Sequence, residues 1–497
     1  MKETVLEKAR RFEEKHGNQI PKEARPEFHL SPYVGWMNDP NGFSWYDGKY
    51  HMFYQYHPYS MQWGPMHWGH AVSEDLLHWH HVPVALAPDA PYDEAGCFSG
   101  TAITMPDGKQ LLVYTGVHRE EQEDGTTVDI QKQCVAIGDG LNYEKYEKNP
   151  VLTKKDLPKG GRKEDFRDPK IFRGENGLYN MLAVNRDETE GGQVLLYKSK
   201  DALQWNYVGK VAENHNRLGL MWECPDLFSL GDKDILVLSA QEMLPEGLEF
   251  HNGFGTFALI GNFDEKTGKF TEESFQSLDY GLDFYAPQSI LTPDGRRVMI
   301  GWMQNWDTVA PPQSNVYWAG QMSLPRELTM KNGRIYQNPI RELLEYRSEE
   351  KVSGEWELLD EELEIHGVDG RLVDMTVDVE AGDLSEIYHR FAIQFAKNDR
   401  FYTSISFRPK ESVLRIDRKF SGSRRGIIHQ RRSRVEHENG KIRLRLIIDR
   451  YSVEIFVNDG EQVLTAALQT QLDADRITFV ASGKVKMKLC HYHLKEE

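Results

Sequence analysis

DGKYHMFYQY, residues 47–56, reads as a tight turn followed by a strand: Asp-Gly reverses the chain, and an apolar, aromatic-rich run follows. Alone it would say little. It recurs as DGKQLLVYTG from Asp107, NGLYNMLAVN from Asn176, DKDILVLSAQ from Asp232 and DGRRVMIGWM from Asp294, at steps of 60, 69, 56 and 62 residues. Five similar units at a near-constant step point to a repeat architecture, and the step suits a four-stranded propeller blade. A second echo supports this. SEDLLHWHHV from Ser73 and SKDALQWNYV from Ser199 share Ser, Asp, Leu, Trp and Val at the same offsets, and each reads as a hairpin strand of its own blade.

Outward from the repeats the texture changes. Residues 2–16 read as a short amphipathic helix, with Val5, Leu6, Ala9 and Phe12 at helical spacing, and helical periodicity returns only in NPIRELLEYR, residues 338–347. Beyond about residue 350, short alternating segments such as RLVDMTVDV, IRLRLIID and YSVEIFVNDG are the pattern of an antiparallel β-sandwich. The expected fold is all-β: a five-bladed β-propeller followed by a C-terminal β-sandwich, with a short N-terminal helix and a linker helix. The units are residues 1–25, 26–337, 338–350 and 351–497 in chain order.

A length of 497 residues fits such a multi-unit chain. The net charge of −17, with no acidic tail, argues against nucleic acid and anionic membrane surfaces as partners and suits a neutral ligand. No apolar run reaches membrane-span length, and MKETVLEKARRFEEKHG lacks the apolar core of a signal peptide, so a cytoplasmic protein is expected. Cys97, Cys134, Cys224 and Cys490 are widely spaced, which suggests free thiols rather than a zinc site or a disulfide scaffold.

Each repeat is preceded by a cluster of polar, Pro or Gly residues. Asp39 of WMNDPNG, Ser99 of GCFSG and Asp168 of FRDPK lie 8 residues before Asp47, Asp107 and Asn176, while Glu223 of WECPD and Tyr285 of DFYAPQ lie 9 before Asp232 and Asp294. Rotation about a propeller axis would bring all five clusters to one funnel. Three carboxylates there, Asp39, Asp168 and Glu223, cost electrostatic free energy that function must justify. Metal binding wants a dense Asp-x-Asp loop or a nearby His, and neither accompanies them, so no metal and no cofactor are expected. Glycoside hydrolysis wants paired carboxyls, and the nearby tryptophans with Asn38, Gln55, Ser99 and Arg167 suit a polyhydroxyl ligand.

In order, WMNDPNG, FYQYHP, WGPMHWGHAVSEDLLHW, GCFSG, FRDPK, WECPD and DFYAPQ strongly resemble glycoside hydrolase family 32, and YSVEIFVNDGE resembles its C-terminal sandwich. The resemblance implies a five-bladed propeller plus sandwich that cleaves terminal β-fructofuranosyl units with retention, from sucrose or sucrose 6-phosphate. Exo-acting fructan hydrolysis or fructosyl transfer is the alternative enzyme reading, and a non-catalytic carbohydrate-binding propeller a more distant one. It further implies Asp39 as nucleophile, Glu223 as acid/base and Asp168 as transition-state stabiliser, with Asn38, Gln55, Trp63, Ser99, Arg167, Tyr285 and Trp302 shaping the fructose subsite. The expected partner is a small-molecule or oligosaccharide fructoside. A 6-phosphate on the glucose would meet a cation such as Arg119, Arg186 or Arg326, while the basic run Arg415, Arg418, Lys419, Arg424, Arg425, Arg431, Arg432 and Arg434 reads as solvated sandwich surface. Where relatives continue the sandwich with an Arg-x-Phe-Pro run, this chain has LTAALQTQL.

Overall fold

The computed structural model describes residues 3–310, 317–423 and 428–496, and they are mostly β. Five antiparallel sheets come first. Their strands are β1 Gly35–Tyr46, β2 Lys49–His57, β3 His67–Ser73 and β4 His80–Leu86; β5 Gly96–Thr104, β6 Gln110–Glu121, β7 Thr127–Gly138 and β8 Tyr143–Lys145; β9 Arg167–Arg173, β10 Tyr179–Asp187, β11 Gly191–Ser199 and β12 Asn206–Glu213; β13 Met221–Leu230, β14 Lys233–Met243, β15 Gly253–Asp264 and β16 Lys269–Ser277; and β17 Tyr285–Leu291, β18 Arg297–Trp302, β20 Arg326–Lys331 and β21 Arg334–Pro339. The short β19 Trp318–Ala319 leaves this order and pairs in parallel with β1. The first strands pack in a closed ring, β1 on β5, β5 on β9, β9 on β13, β13 on β17 and β17 back on β1.

Every repeated Asp/Asn-led turn falls between the first and second strands of its sheet. The second echo forms strand only at its ends, Ser73 and His80–Val82 in β3 and β4 and Ser199 and Asn206–Val208 in β11 and β12. SEDLLHW and SKDALQW are turns between the third and fourth strands of two sheets, where Ser73 and Ser199 Oγ accept the Leu76 and Ala202 N–H groups, and Asp75 and Asp201 Oδ1 each accept the next two. The side chains supply the hydrogen bonds that a strand would have taken from a neighbour.

The N-terminal helix, Val5–Gly17, opens with a capping box between Thr4 and Glu7. It lies along β4, whose outer edge would otherwise carry unpaired backbone: Glu13 accepts from Val84 N at 2.9 Å and Arg10 donates to Val84 O at 2.9 Å. The strand edge is thereby closed to pairing with another chain. The second expected helix, over 338–347, is a single 3-10 segment, Arg341–Tyr346, between β21 and a strand starting at Arg347; about two turns suffice to lead the chain from one sheet to the next.

From Arg347 to Leu494 two six-stranded sheets enclose a second large apolar core. Its edge strand Gln462–Ala467, which contains the first four residues of the departing LTAALQTQL segment, pairs with the chain leading into β17: Tyr280 N donates to Val463 O at 2.8 Å and Leu282 N to Thr465 O at 2.7 Å. Beside this seam Arg326, fully buried, pairs with Asp279 and Glu454, so it cannot meet a substrate phosphate as expected. Arg418 likewise is not solvated surface but buried at 2% exposure, bound to Asp283 at 2.5 Å, and Arg431 is buried as well. Arg424 and Arg425 lie outside the described residues.

His29 sits in the same interface between Asp449 at 2.7 Å and Glu454 at 3.1 Å. Burial opposes its charge, but the two carboxylates outweigh burial and raise its pKa to about 9. A folded-state pKa above the unfolded value of about 6.5 stabilises the fold fully below pH 6.5; the contribution declines between 6.5 and 9 and is gone above. The urea midpoint is therefore expected to fall from pH 6.5 to 9.5, by an amount of order 3 kcal/mol in unfolding free energy from this residue. His29→Gln should flatten that slope, and an unchanged slope in the variant would remove His29 from this role.

Candidate active site

Each first strand carries a β-bulge near its start. Register shifts fall between Met37 and Pro40, Phe98 and Gly100, Arg167 and Lys170, Glu223 and Asp226, and Tyr285 and Gln288. A bulge rotates the side chains next to it out of the sheet, a common device beside active sites. Asp168, Cys224 and Ala286, each followed by proline, adopt left-handed φ of 58°, 50° and 52°, a strained state for a side-chain-bearing residue.

Aligned on bulge and proline, the equivalent positions are Asp39, Ser99, Asp168, Cys224 and Ala286. Glu223 and Tyr285 stand one residue earlier, level with Arg167. The expectation of three carboxylates at one register is therefore corrected: two share it, and the third register partner is a thiol. The spacing contains this distinction, because Cys224, not Glu223, lies 8 residues before its turn.

The resulting cluster is continuous. Asp39 Oδ2 accepts from Ser99 Oγ at 2.7 Å, and Oδ1 from Asn38 Nδ2 at 3.1 Å. The Cys224 Sγ lies 3.7 Å from Asp39 Oδ2 and 3.6 Å from Asp168 Oδ2, and Cys224 N donates to Asp168 Oδ2 at 2.9 Å. Arg167 Nε donates to Glu223 Oε1 at 3.1 Å, and Tyr285 OH donates to Glu223 Oε2 at 2.7 Å. Arg167 is itself held by Asp165 at 3.2 Å and Gln131 at 3.4 Å. Thr115 Oγ1, on the second strand β6, accepts the Asp168 N–H at 2.9 Å. Thr115 and Cys224 are site residues that motif reading passed over.

Electrostatics follow from this packing. Burial raises the pKa of Asp39, with Glu223 adding to the effect, while the donors Ser99 and Asn38 oppose it. Asp168 is also raised, first by burial and then by Glu223 and Asp39, against the pull of Arg167. The Cys224 thiol is pushed well up by burial and the three carboxylates, so it remains S–H between two of them. Perturbed titration of several buried groups in one cluster is a mark of functional sites.

The remaining candidates surround this centre to different degrees. Trp36 Nε1 donates to Asn38 Oδ1 at 2.7 Å, and Trp36 packs with Trp302 and Trp306 at centroid distances of 6.1 and 6.3 Å. Trp302 is fully buried, so it supports the site through Trp36 packing. Gln55 is buried and donates to Cys97 O at 3.0 Å. Trp63 is 42% exposed and sits edge-on to Phe98, next to Ser99, as a rim residue. Among the described residues, no group of three or more His, Cys, Asp and Glu side chains has metal-holding geometry.

This chain matches the glycosyl hydrolases family 32 N-terminal domain over residues 29–339 and the family 32 C-terminal domain over 342–494. It belongs to glycosyl hydrolase family 32. Among relatives, the raffinose invertase of Escherichia coli is 38% identical over 92% of this chain and 92% of its own length. A sucrose-6-phosphate hydrolase of the same species is 35% identical over 96% and 94%. A family 32 beta-fructofuranosidase of Bombyx mori superposes with TM-score 0.84 at 32% identity, covering 100% of this chain and 99% of that one. The sucrose-6-phosphate hydrolase from Lactobacillus gasseri gives 0.81 at 29%, covering 98% and 96%. No helix of this family 32 chain, among the described residues, is long and apolar enough to cross a membrane.

Proposed function

We propose that this family 32 enzyme is a retaining β-fructofuranosidase that releases terminal non-reducing β-D-fructofuranosyl units from sucrose and sucrose 6-phosphate. The observation that carries the reading is the linked cluster Asp39–Cys224–Asp168–Arg167–Glu223, assembled from bulges on three of the five first strands of one ring. In this reading the five sheets are the blades of a propeller over residues 26–337, the segment 338–350 is a linker, and residues 351–497 form the sandwich. Four free thiols suit a cytosolic setting.

Asp39 is the nucleophile. Ser99 and Asn38 stabilise its ionised form and aim it, so that it attacks the anomeric carbon and forms a fructosyl ester. Glu223 is the acid/base: Tyr285 and Arg167 fix its two oxygens, and it protonates the departing glucose oxygen and then deprotonates the water that cleaves the ester. Asp168 accepts fructose hydroxyls and gains binding strength as the ring acquires positive charge. Asn38, Gln55, Ser99, Arg167, Tyr285 and Trp302 hold this geometry, and Trp63 offers a flat face at the rim.

The test is release of fructose from sucrose, sucrose 6-phosphate and short-chain fructan, measured side by side. Turnover of either sucrose is the expected result. Turnover of fructan alone would make the enzyme an exo-fructanase, and no turnover of any fructoside would sink the reading.

A further inference from the structure

Resting on that reading, we infer that the cavity beside the acid/base is an anion subsite for a phosphorylated leaving group, with Arg162 and Lys154 as its cations. The cavity, about 610 Å³, is lined by Lys154, Gly161, Arg162, Lys163, Glu164 and Glu188. Of its three cations Lys163 is taken up by Glu120, which leaves Lys154 and Arg162 to meet a negative ligand.

Its position ties it to the chemistry. Asp165 Oδ1 accepts from Arg167, the partner of Glu223, and Asp165 Oδ2 lies 3.5 Å from Arg162 Nε. Arg162, on the cavity wall, is thereby linked to Glu223 through Asp165 and Arg167. Lys163 is engaged by Glu120 at 3.1 Å. Arg162 has only looser carboxylate neighbours, at 3.5 and 4.0 Å, and Lys154 has no salt bridge within 4 Å among the described residues.

The subsite is also built rather than merely charged. Arg162 N donates to Asn185 Oδ1 at 3.2 Å and to Arg186 O at 3.2 Å, while Asn185 Nδ2 donates to Arg162 O at 2.7 Å. Asn185 is fully buried, so the backbone of Arg162 is anchored to β10. Gly161 is required for this approach, since a Cβ there would lie 2.7 Å from Asn185 Oδ1. A planar guanidinium on an anchored backbone matches a phosphate's oxygens, and a lysine adds a point charge.

Arg162→Gln and Lys154→Gln, singly and together, test this with full-length enzyme. The double variant is expected to lose about tenfold or more in kcat/KM for sucrose 6-phosphate while sucrose changes less than about twofold, because the lost interactions are charge-assisted contacts to phosphate alone. Competitive inhibition by glucose 6-phosphate should weaken in parallel, with inhibition by glucose unchanged. Equal losses on both sugars, or no loss on either, would overturn the subsite. So would wild-type enzyme that hydrolyses sucrose but neither prefers the phosphorylated sugar nor responds to glucose 6-phosphate; that result leaves the fructosidase reading standing. Failure on every fructoside would overturn both.

Discussion

Asp39→Asn is expected to lower turnover of sucrose by about ten-thousand-fold or more, because an amide cannot form the fructosyl ester through which the reaction passes. The same substitution should leave the melting temperature unchanged or raise it. Asp39 sits half-buried beside Cys224 and within the field of Glu223, and its desolvation disfavours the charged form. An uncharged isostere relieves that cost and keeps partners for Asn38 and Ser99. Loss of activity combined with undiminished stability is the signature of a site whose charges are retained for function. Turnover within about tenfold of wild type would remove Asp39 from the nucleophile's role, and a fall in melting temperature would point to a structural role instead.

Glu223→Gln is expected to cost about a hundred- to ten-thousand-fold on sucrose, the range that positioned proton transfer contributes. The loss should depend on the leaving group. From sucrose the glucose departs as an alkoxide unless its oxygen is protonated, whereas a nitrophenyl β-fructoside expels a stable nitrophenolate. The first turnover of the aryl fructoside is therefore expected to survive in the variant, while hydrolysis of the ester, which needs the same carboxylate as base, becomes slow. A rapid burst of nitrophenolate equal to the enzyme concentration, followed by a slow steady phase, is the result to look for. Equal first-turnover losses on both substrates would show that Glu223 does not act as the acid. Gln retains an oxygen for Arg167, so gross rearrangement of the Arg167 side chain is not expected to confuse the measurement.

The five turn-plus-strand units were legible because each is local. Asp-Gly, Asn-Gly or Asp-Lys at the turn and an apolar run behind it specify a strand pair within about ten residues of sequence, and all five lie at the junction of first and second strands. SEDLLHW and SKDALQW were harder, since Leu and Trp in an apolar context look like strand. Their Ser and Asp side chains cap the backbone instead, a local competition that β-propensity does not register. The short segment Arg341–Tyr346 shows the converse: helical spacing over so few residues cannot separate an α-helix from a 3-10 helix.

Within the site, the sequence by itself determined which residues are available: Asp39, Asp168 and Glu223 with Asn38, Ser99, Arg167 and Tyr285, each in a cluster upstream of a repeated turn. Tertiary structure decided how they divide the work. The bulges set Asp39, Asp168 and Cys224 at one level and Glu223 with Arg167 at the next, because an extra residue in one strand shifts every side chain that follows it to the other face. Burial then decided the rest. Arg326, Arg418 and His29 are indistinguishable from surface cations in sequence, yet each is enclosed between the two sheet systems by carboxylates hundreds of residues away or across the seam, and a buried charge is tolerated only with such partners. Ion pairing of that kind depends on which surfaces meet, and local sequence pattern carries no record of it.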